Sequence, residues 1–475
     1  MKYKKIIPKE LVSLFSKSYN IPENIVEMQI NEILINEKEK NKENKIKTFF
    51  LYYFVLFFFL FLGFFGKRYN EKYSSQIIFE GWVDDAERSH KTFYESIHKE
   101  LNKIGISDYL YLLTDKINSK SLRKLTSIKT INRDIKFNFS SKVSKIIFFN
   151  EIKNFARYKK IENKNKEIDI IIIVLKFLKQ YALYYSSSCN IKVDILISAH
   201  DNGYTALKYF IFKQNGIKNI FLIQNGTRDP LDNYIFCDDY FAHSIKQIEL
   251  QNIVAKNKYP IGSIPLYSKI KEYKSVEKKY DICFIEEMHR ISSKMDPMEK
   301  EPFEFNAVYN KLIDNVIKFS NTHRNIKICF IRRIVDMSNF NYLRKQTIER
   351  LYTRLKLNNI YVSKIIEDSY LNVMASDITV FYMSTLGFEA LGFEKKILNC
   401  NYNKHRALML NDLEIGVVLK DDYSSFEKKL LFLIENNSKE TKNYYENKKF
   451  QYMNINGDPS KFISNRILEE TQSSF

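Results

Sequence analysis

From Ser75 onward, short apolar runs alternate with helix-length segments, and this rhythm runs through the chain twice. Runs such as 193–199 (VDILISA) and 326–331 (IKICFI) are apolar nearly throughout, not only at every second position. A strand of that kind has both faces covered, as in a parallel sheet held between layers of helices. The first series places strands at 75–80, 109–113, 145–149, 193–199, 219–223 and 240–242. The second places them at 280–285, 326–331, 359–362, 378–383, 396–399 and 417–419. Helical spacing fills the intervals. Between the series, 264–279 is polar and Lys-rich and reads as a linker. At 475 residues the chain exceeds what one core ordinarily holds. The expected fold class is α/β: two doubly wound domains in tandem, 71–265 and 280–475, behind an N-terminal helical region, 1–70.

That N-terminal region contains Thr48 to Gly66, nineteen residues without a charge, flanked by Lys45 and Lys47 before and Lys67 and Arg68 after. A helix of that length reaches about 28 Å, close to a hydrocarbon core. The segment is expected to associate the protein with a membrane, as a span or as a helix lying in one leaflet, at the cytoplasmic face. The alternative is a helix buried within the protein.

The formal net charge is +19, but the lysines are dispersed along the chain and no zinc-finger or RNP-like motif occurs, so nucleic acid is not an expected partner. Five cysteines stand far apart with no CxxC pair, which indicates neither a disulfide framework nor a zinc site. No metal or resident cofactor is expected.

In open α/β sheets, ligands bind outside the carboxyl ends of the strands. Four polar clusters occupy such places. Ser384, Thr385, Gly387 and Glu389 follow the strand 378–383 and open the next helix. The hydroxyls and free backbone N–H groups there suit an anion, Gly387 lets a ligand come close, and Glu389 suits ribose hydroxyls. An ordinary capped helix is the plainer reading. Gln224, Asn225, Gly226, Thr227, Arg228 and Asp229 follow the strand 219–223. Arg228 suits a phosphate or carboxylate, while Asn-Gly is also a common type I′ or II turn. His200 and Asp201 follow 193–199, as proton acceptors for a substrate hydroxyl or merely as a helix cap. Glu151, read as following a strand, is a weaker candidate. Glu286 and Glu287 follow 280–285, and Arg332 and Arg333 follow 326–331, where two cations suit a departing diphosphate or a surface ion pair.

Residues 376–399 (SDITVFYMSTLGFEALGFEKKILN) resemble the donor-domain signature of GT-B-type glycosyltransferases, and look like those of bacterial surface-carbohydrate (capsule and O-antigen) biosynthesis proteins. That pattern is an apolar strand, Ser-Thr, Gly, Glu-Ala and a Gly-Lys-Lys/Pro turn. Here Phe393 and Glu394 separate Gly392 from Lys395, a departure from it. The resemblance implies two Rossmann-like domains, with Ser384 and Thr385 on donor phosphate and Glu389 on the nucleotide ribose. The same families carry Gln-His-Gly or Gln-Asn-Gly at the place of Gln224, Asn225 and Gly226. An Asn is no general base, so a His role there does not carry over to Asn225.

The function expected is transfer of a sugar from a nucleotide-activated donor to a glycan or lipid-linked glycan acceptor. Asp201 or His200 would be the base, Ser384, Thr385, Gly387, Glu389, Arg332 and Arg333 would bind the nucleotide, and Gln224, Asn225, Gly226, Arg228 and Glu286 would bind substrate. A CDP-polyol phosphotransferase, a sugar-nucleotide epimerase and a non-catalytic assembly protein fit the same architecture.

Overall fold

The computed structural model describes residues 7–37, 45–65, 73–81, 90–113, 130–132, 140–164, 169–230, 232–273, 275–287, 300–332, 342–364, 368–402, 413–436 and 438–472. The first sheet holds β1 (Tyr73–Glu80), β2 (Tyr109–Leu113), β3 (Thr130–Asn132), β4 (Ile191–Ser198), β5 (Ile217–Ile223), β6 (Ile235–Ala242) and β7 (Ile253–Pro260). Its spatial order is 3-2-1-4-5-6-7, and every pairing is parallel. The second holds β8 (Tyr280–Ile285), β9 (Ile328–Ile331), β10 (Tyr361–Val362), β11 (Ser376–Phe381), β12 (Lys396–Cys400) and β13 (Val417–Val418), in the order 10-9-8-11-12-13, again all parallel. Counted from its own first strand, the second sheet reads 3-2-1-4-5-6. That is the Rossmann order, which the first sheet repeats with one strand added. In each, the chain reverses direction of travel between its first and fourth strands: β1 and β4, then β8 and β11.

The helices that bear on the site are α1 (Lys9–Tyr19), α2 (Glu23–Glu37), α3 (Lys45–Phe65), α4 (Glu95–Lys103), α5 (Ser141–Lys164), α6 (Ile170–Ser188), α7 (Ala206–Gln214), α8 (Ile264–Glu272), α9 (Ser369–Met374), α10 (Thr385–Gly392) and α11 (Pro459–Gln472). Side chains of β1 alternate between two cores, as a strand covered on both faces must. Ile77 and Phe79 pack with Ile97 and Leu101 of α4, while Ile78 packs on the opposite face with Tyr204 and Phe212.

Several sequence expectations are corrected. Residues 145–149 are not a strand: they lie in α5, which buries Val143, Ile147, Glu151, Asn154, Tyr158 and Ile161 at steps of three and four. The run Ile-Ile-Phe-Phe masked this period, because Phe149 is exposed. Most of the expected linker is helix: Ser263 caps α8 by accepting the Leu266 N–H, and Pro265 sits in the first turn, where a missing N–H costs nothing. Two strands, β3 and β7, have no counterpart in the sequence reading. β7 is an edge strand rich in Lys and Asn, and so lacks the apolar signal. The second domain does not run unbroken to the C-terminus. α11 returns to the first sheet, where Ile463 and Ile467 join the core of β1 and β4, Ser460 bonds Ser96 at 2.7 Å, and Arg466 meets Asp239 at 2.8 Å.

The N-terminal helices form an outer layer. α1, α2 and α3 share one core with α5, α6 and α7. The expected membrane segment lies in α3, apart from Gly66, which with the flanking Lys67 and Arg68 falls outside the described residues. Among the described residues no helix is long and apolar enough to cross a membrane. α3 instead buries Tyr52, Leu56 and Phe59 against the protein, and the Tyr52 hydroxyl donates to Glu151 at 3.1 Å.

Candidate functional site

At the first switch point one tyrosine ties the two strand ends together. Tyr94 donates to the Glu80 carbonyl at 2.7 Å and accepts from the Ala199 N–H at 2.8 Å. Glu80, the last residue of β1, is 4% exposed. Its carboxylate accepts from Lys208 Nζ at 2.9 Å and from the Tyr204 hydroxyl at 2.5 Å. The Lys208 ammonium also lies 3.7 Å from the centre of the Tyr204 ring. Burial works against ionisation of Glu80, but Lys208 and the Tyr204 hydroxyl outweigh it and hold the carboxyl below its usual range. This buried ion pair is absent from the sequence reading. Its signal was there: a lone carboxylate closing an apolar strand, directly before Gly81.

His200 and Asp201 follow β4, and the structure separates their roles. His200 is partly exposed, and its ring lies against Gly203. Asp201 is buried, in a single 3₁₀ turn. It accepts from the Tyr240 hydroxyl at 3.0 Å and from the Asn202 N–H at 3.0 Å, and it lies 3.8 Å from Arg228 Nη1. Burial pushes its carboxyl up, against the opposing pull of Arg228. Asp201 therefore braces the loop from inside, and of the two expected bases His200 is the one that solvent reaches.

The loop after β5 is held by a chain of amides. Gln224 accepts from the His243 N–H at 2.7 Å and donates to the Gly226 carbonyl at 2.8 Å and to Gln247. Gln247 in turn accepts the Arg228 N–H at 2.8 Å. Arg228 donates to Asn202 and, at 2.6 Å, to the Asn233 carbonyl, while its buried Nε finds no partner among the described residues. His243 closes the network: Nε2 lies 3.0 Å from the Gln224 carbonyl, and burial takes the imidazole down to about 4, so it is neutral. Neither Asn225 nor Gly226 adopts positive φ, which excludes the I′ and II turns. Gly226 instead faces the opposite loop. A Cβ there would stand 3.4 Å from Thr385 Oγ1, across the cleft.

At the second switch point the anion expected on backbone N–H groups is already supplied by the protein. Glu287, just past β8, accepts the N–H groups of Tyr382, Met383 and Ser384 at 2.7, 2.6 and 3.2 Å. The Ser384 N–H is thus spent, but its hydroxyl makes no cap hydrogen bond and is partly exposed, which corrects the capped-helix alternative. Thr385 opens α10 and accepts the Thr227 N–H at 3.1 Å, so loops from the carboxyl ends of both sheets meet here. Gly387 does not admit a ligand: the place of its side chain is filled by the Phe381 ring, 2.1 Å from where a Cβ would be.

Glu389 is also placed differently from expectation. It is buried, and its two oxygens accept from Ser263 at 2.5 Å and Tyr370 at 2.8 Å. Burial pushes the carboxyl up against those two hydroxyls. It joins the start of α8 and α9 to α10, a brace at the domain junction. Glu286 accepts the Tyr352 hydroxyl at 2.8 Å, and the Arg332 guanidinium lies over the Tyr352 ring at 4.2 Å. The buried Nε of Arg332 finds no partner among the described residues. Arg333 lies outside them.

No family model and no curated protein matches this chain. Solved structures similar to it include UDP-GlcNAc 2-epimerase from Methanocaldococcus jannaschii, at 12% identity over 84% of this chain and 99% of that one, with a TM-score of 0.44. UDP-GlcNAc 2-epimerase from Neisseria meningitidis bound to UDP-GlcNAc has 12% identity over 84% and 100% of the two chains, with a TM-score of 0.43. The wall teichoic acid polymerase TagF has 11% identity over 84% and 89%, with a TM-score of 0.42. Likeness at this level assigns no chemistry, so the residues of the cleft must carry it.

Those residues fall into two banks. On the first sheet stand a buried carboxylate–lysine pair and an accessible imidazole. On the second stand two partly exposed hydroxyls at a helix start and an arginine with an unspent donor.

Proposed function

We propose that the protein transfers a sugar from a nucleotide-activated donor, with the diphosphate at the start of α10 and the acceptor at the end of β1. The observation that carries this reading is the meeting of the loop after β5 with the loop after β11, through Thr227 and Thr385. It brings the ligand crevices of two Rossmann-order sheets onto one cleft. In this reading Ser384, Thr385 and Arg332 receive the charge of the departing diphosphate. His200 takes the proton of the acceptor hydroxyl. The Glu80–Lys208 pair fixes the floor beneath that hydroxyl, and Arg228 is held ready by Asp201. Epimerisation of the bound sugar nucleotide is the second reading, favoured by a solvent-reached proton acceptor, His200, at the carboxyl end of the first sheet.

Calorimetric titration of the full chain with uridine, cytidine and guanosine diphosphates and their sugar conjugates tests the donor site. One nucleotide is expected to bind, with Arg332→Ala weakening it about tenfold, the scale of a charge-assisted hydrogen bond. If none binds, the reading fails. Product analysis then separates the alternatives: transfer releases nucleoside diphosphate only with an acceptor present, whereas epimerisation interconverts two sugar nucleotides without one.

A further inference from the structure

The outer helical layer leaves an unusual face. Along α3, Phe54 is 69% exposed and Phe57 is 68% exposed, on the side away from buried Tyr52, Leu56 and Phe59. The antiparallel neighbour α5 adds exposed Phe149 and Ile152. The two helices are locked side by side: Phe155 stacks on Tyr52 with ring centres 5.2 Å apart, and Ser141 Oγ donates to the Gly63 carbonyl at 2.6 Å. Scattered exposed hydrophobics are ordinary, but aromatic side chains this open on paired helices form a patch that water disfavours.

The exposed charges of α5 beside this patch, from Lys142 to Lys160, are of one sign. Lys153 and Arg157 fall on the same stripe of α5 as Phe149, at intervals of four, and both are exposed. Lys142 and Lys160 extend the stripe at its two ends. No acidic residue occurs in α3, and between 141 and 160 the one acid, Glu151, is fully buried. A second copy of the chain would bring the same basic rim against itself. An anionic partner with an apolar interior suits both features, and a bilayer surface is such a partner.

We propose that the α3–α5 face seats the protein on an anionic lipid surface, its phenylalanines entering one leaflet and the basic stripe meeting the headgroups. The apolar run of α3 then lies in the plane of the membrane. Its other side stays on the protein, fixed by Tyr52 on Glu151 and by the Phe59 and Leu56 packing. This attachment is independent of which reaction the cleft performs.

The test is co-sedimentation of the full chain with vesicles of phosphatidylcholine alone or mixed with phosphatidylglycerol, followed by an alkaline carbonate wash. Binding to the anionic vesicles and release by the wash are expected. Phe54→Ser/Phe57→Ser is expected to weaken binding at least about tenfold, as is Lys153→Glu/Arg157→Glu. Their melting temperatures serve as the folding control. Should either melt lower than wild type, Phe57→Trp with brominated lipid replaces it, and quenching of the added indole is expected. No binding to anionic vesicles, binding by either double variant as strong as that of wild type, or an unquenched indole overturns the proposal. Retention after the carbonate wash would mean a span and also overturns it. So would a wild-type dimer, abolished by Phe54→Ser/Phe57→Ser, that binds no vesicles.

Discussion

Glu80 and Lys208 are a charge pair almost wholly removed from water, and such a pair is tolerated only while both partners remain. Glu80→Gln is expected to destabilise the protein by about 3 kcal/mol or more, because it strands the Lys208 ammonium. The double change Glu80→Gln/Lys208→Met is expected to recover much of that loss, read as urea midpoints. Since Lys208 and Tyr204 hold the folded carboxyl below its ordinary 4.5, the pair's contribution is complete above that pH. It is lost as pH falls through the lowered folded value. Single residues were the least legible part of the sequence. Ser384 and Thr385 stand where strand-end position put them, at the cleft. Asp201 also follows a strand end, and Gly387 and Glu389 lie in the helix after one, yet Asp201 and Glu389 turn inward, to an arginine and to two hydroxyls, and a phenylalanine ring fills the space beside Gly387. Spacing in sequence places a residue near the crevice but does not say which way its side chain turns.

At the scale of elements the reading was better, and it failed for stated physical causes. Runs apolar on both faces, such as those of β4 and β8, announced themselves. Lys-rich β7 did not, and in α5 exposed Phe149 completed a false strand. That helix carries a second buried acid. Glu151 accepts hydroxyls from Tyr19 at 2.5 Å, Tyr52 at 3.1 Å and Tyr158 at 3.0 Å, joining α1, α3 and α5 at one carboxyl. Burial takes it from 4.5 to about 7 despite those hydroxyls. A carboxyl raised by folding favours the folded state most when protonated. The contribution of this group is therefore greatest below 4.5, shrinks as pH rises, and levels off above about 7. The whole span corresponds to roughly 3 kcal/mol. Glu151→Gln cannot ionise, so its stability relative to wild type is expected to improve from pH 5 to pH 8, measured by urea unfolding. A constant difference across that range would show that Glu151 does not titrate there.

For the whole molecule, the doubled rhythm of strands and helices foretold two parallel sheets, and both are present. What it did not foretell is how the two halves are joined. Two segments pass between them: the stretch around α8, and the return leading into α11. At the first, Gly262 has φ +94, and a Cβ there would fall 2.0 Å from the Asn454 carbonyl oxygen of the second. The two crossings therefore lie against each other and form one junction. Removing residues 459–475 is expected to expose the face of β1 and β4 that Ile463 and Ile467 cover. Limited proteolysis should then cut the first domain at least about tenfold faster while leaving the second comparatively resistant.

The return of α11 also bears on how the protein is made. A chain leaves the ribosome from its N-terminus, and domains generally fold as they emerge. Here the first-made domain lacks part of its core until α11, made after the second sheet, has been released. The second domain can reach its final packing before α11 emerges, while the first must wait for that helix with part of one face of its sheet uncovered. Maturation thus runs against the order of synthesis, and the unfinished sheet is the part that a chaperone would meet.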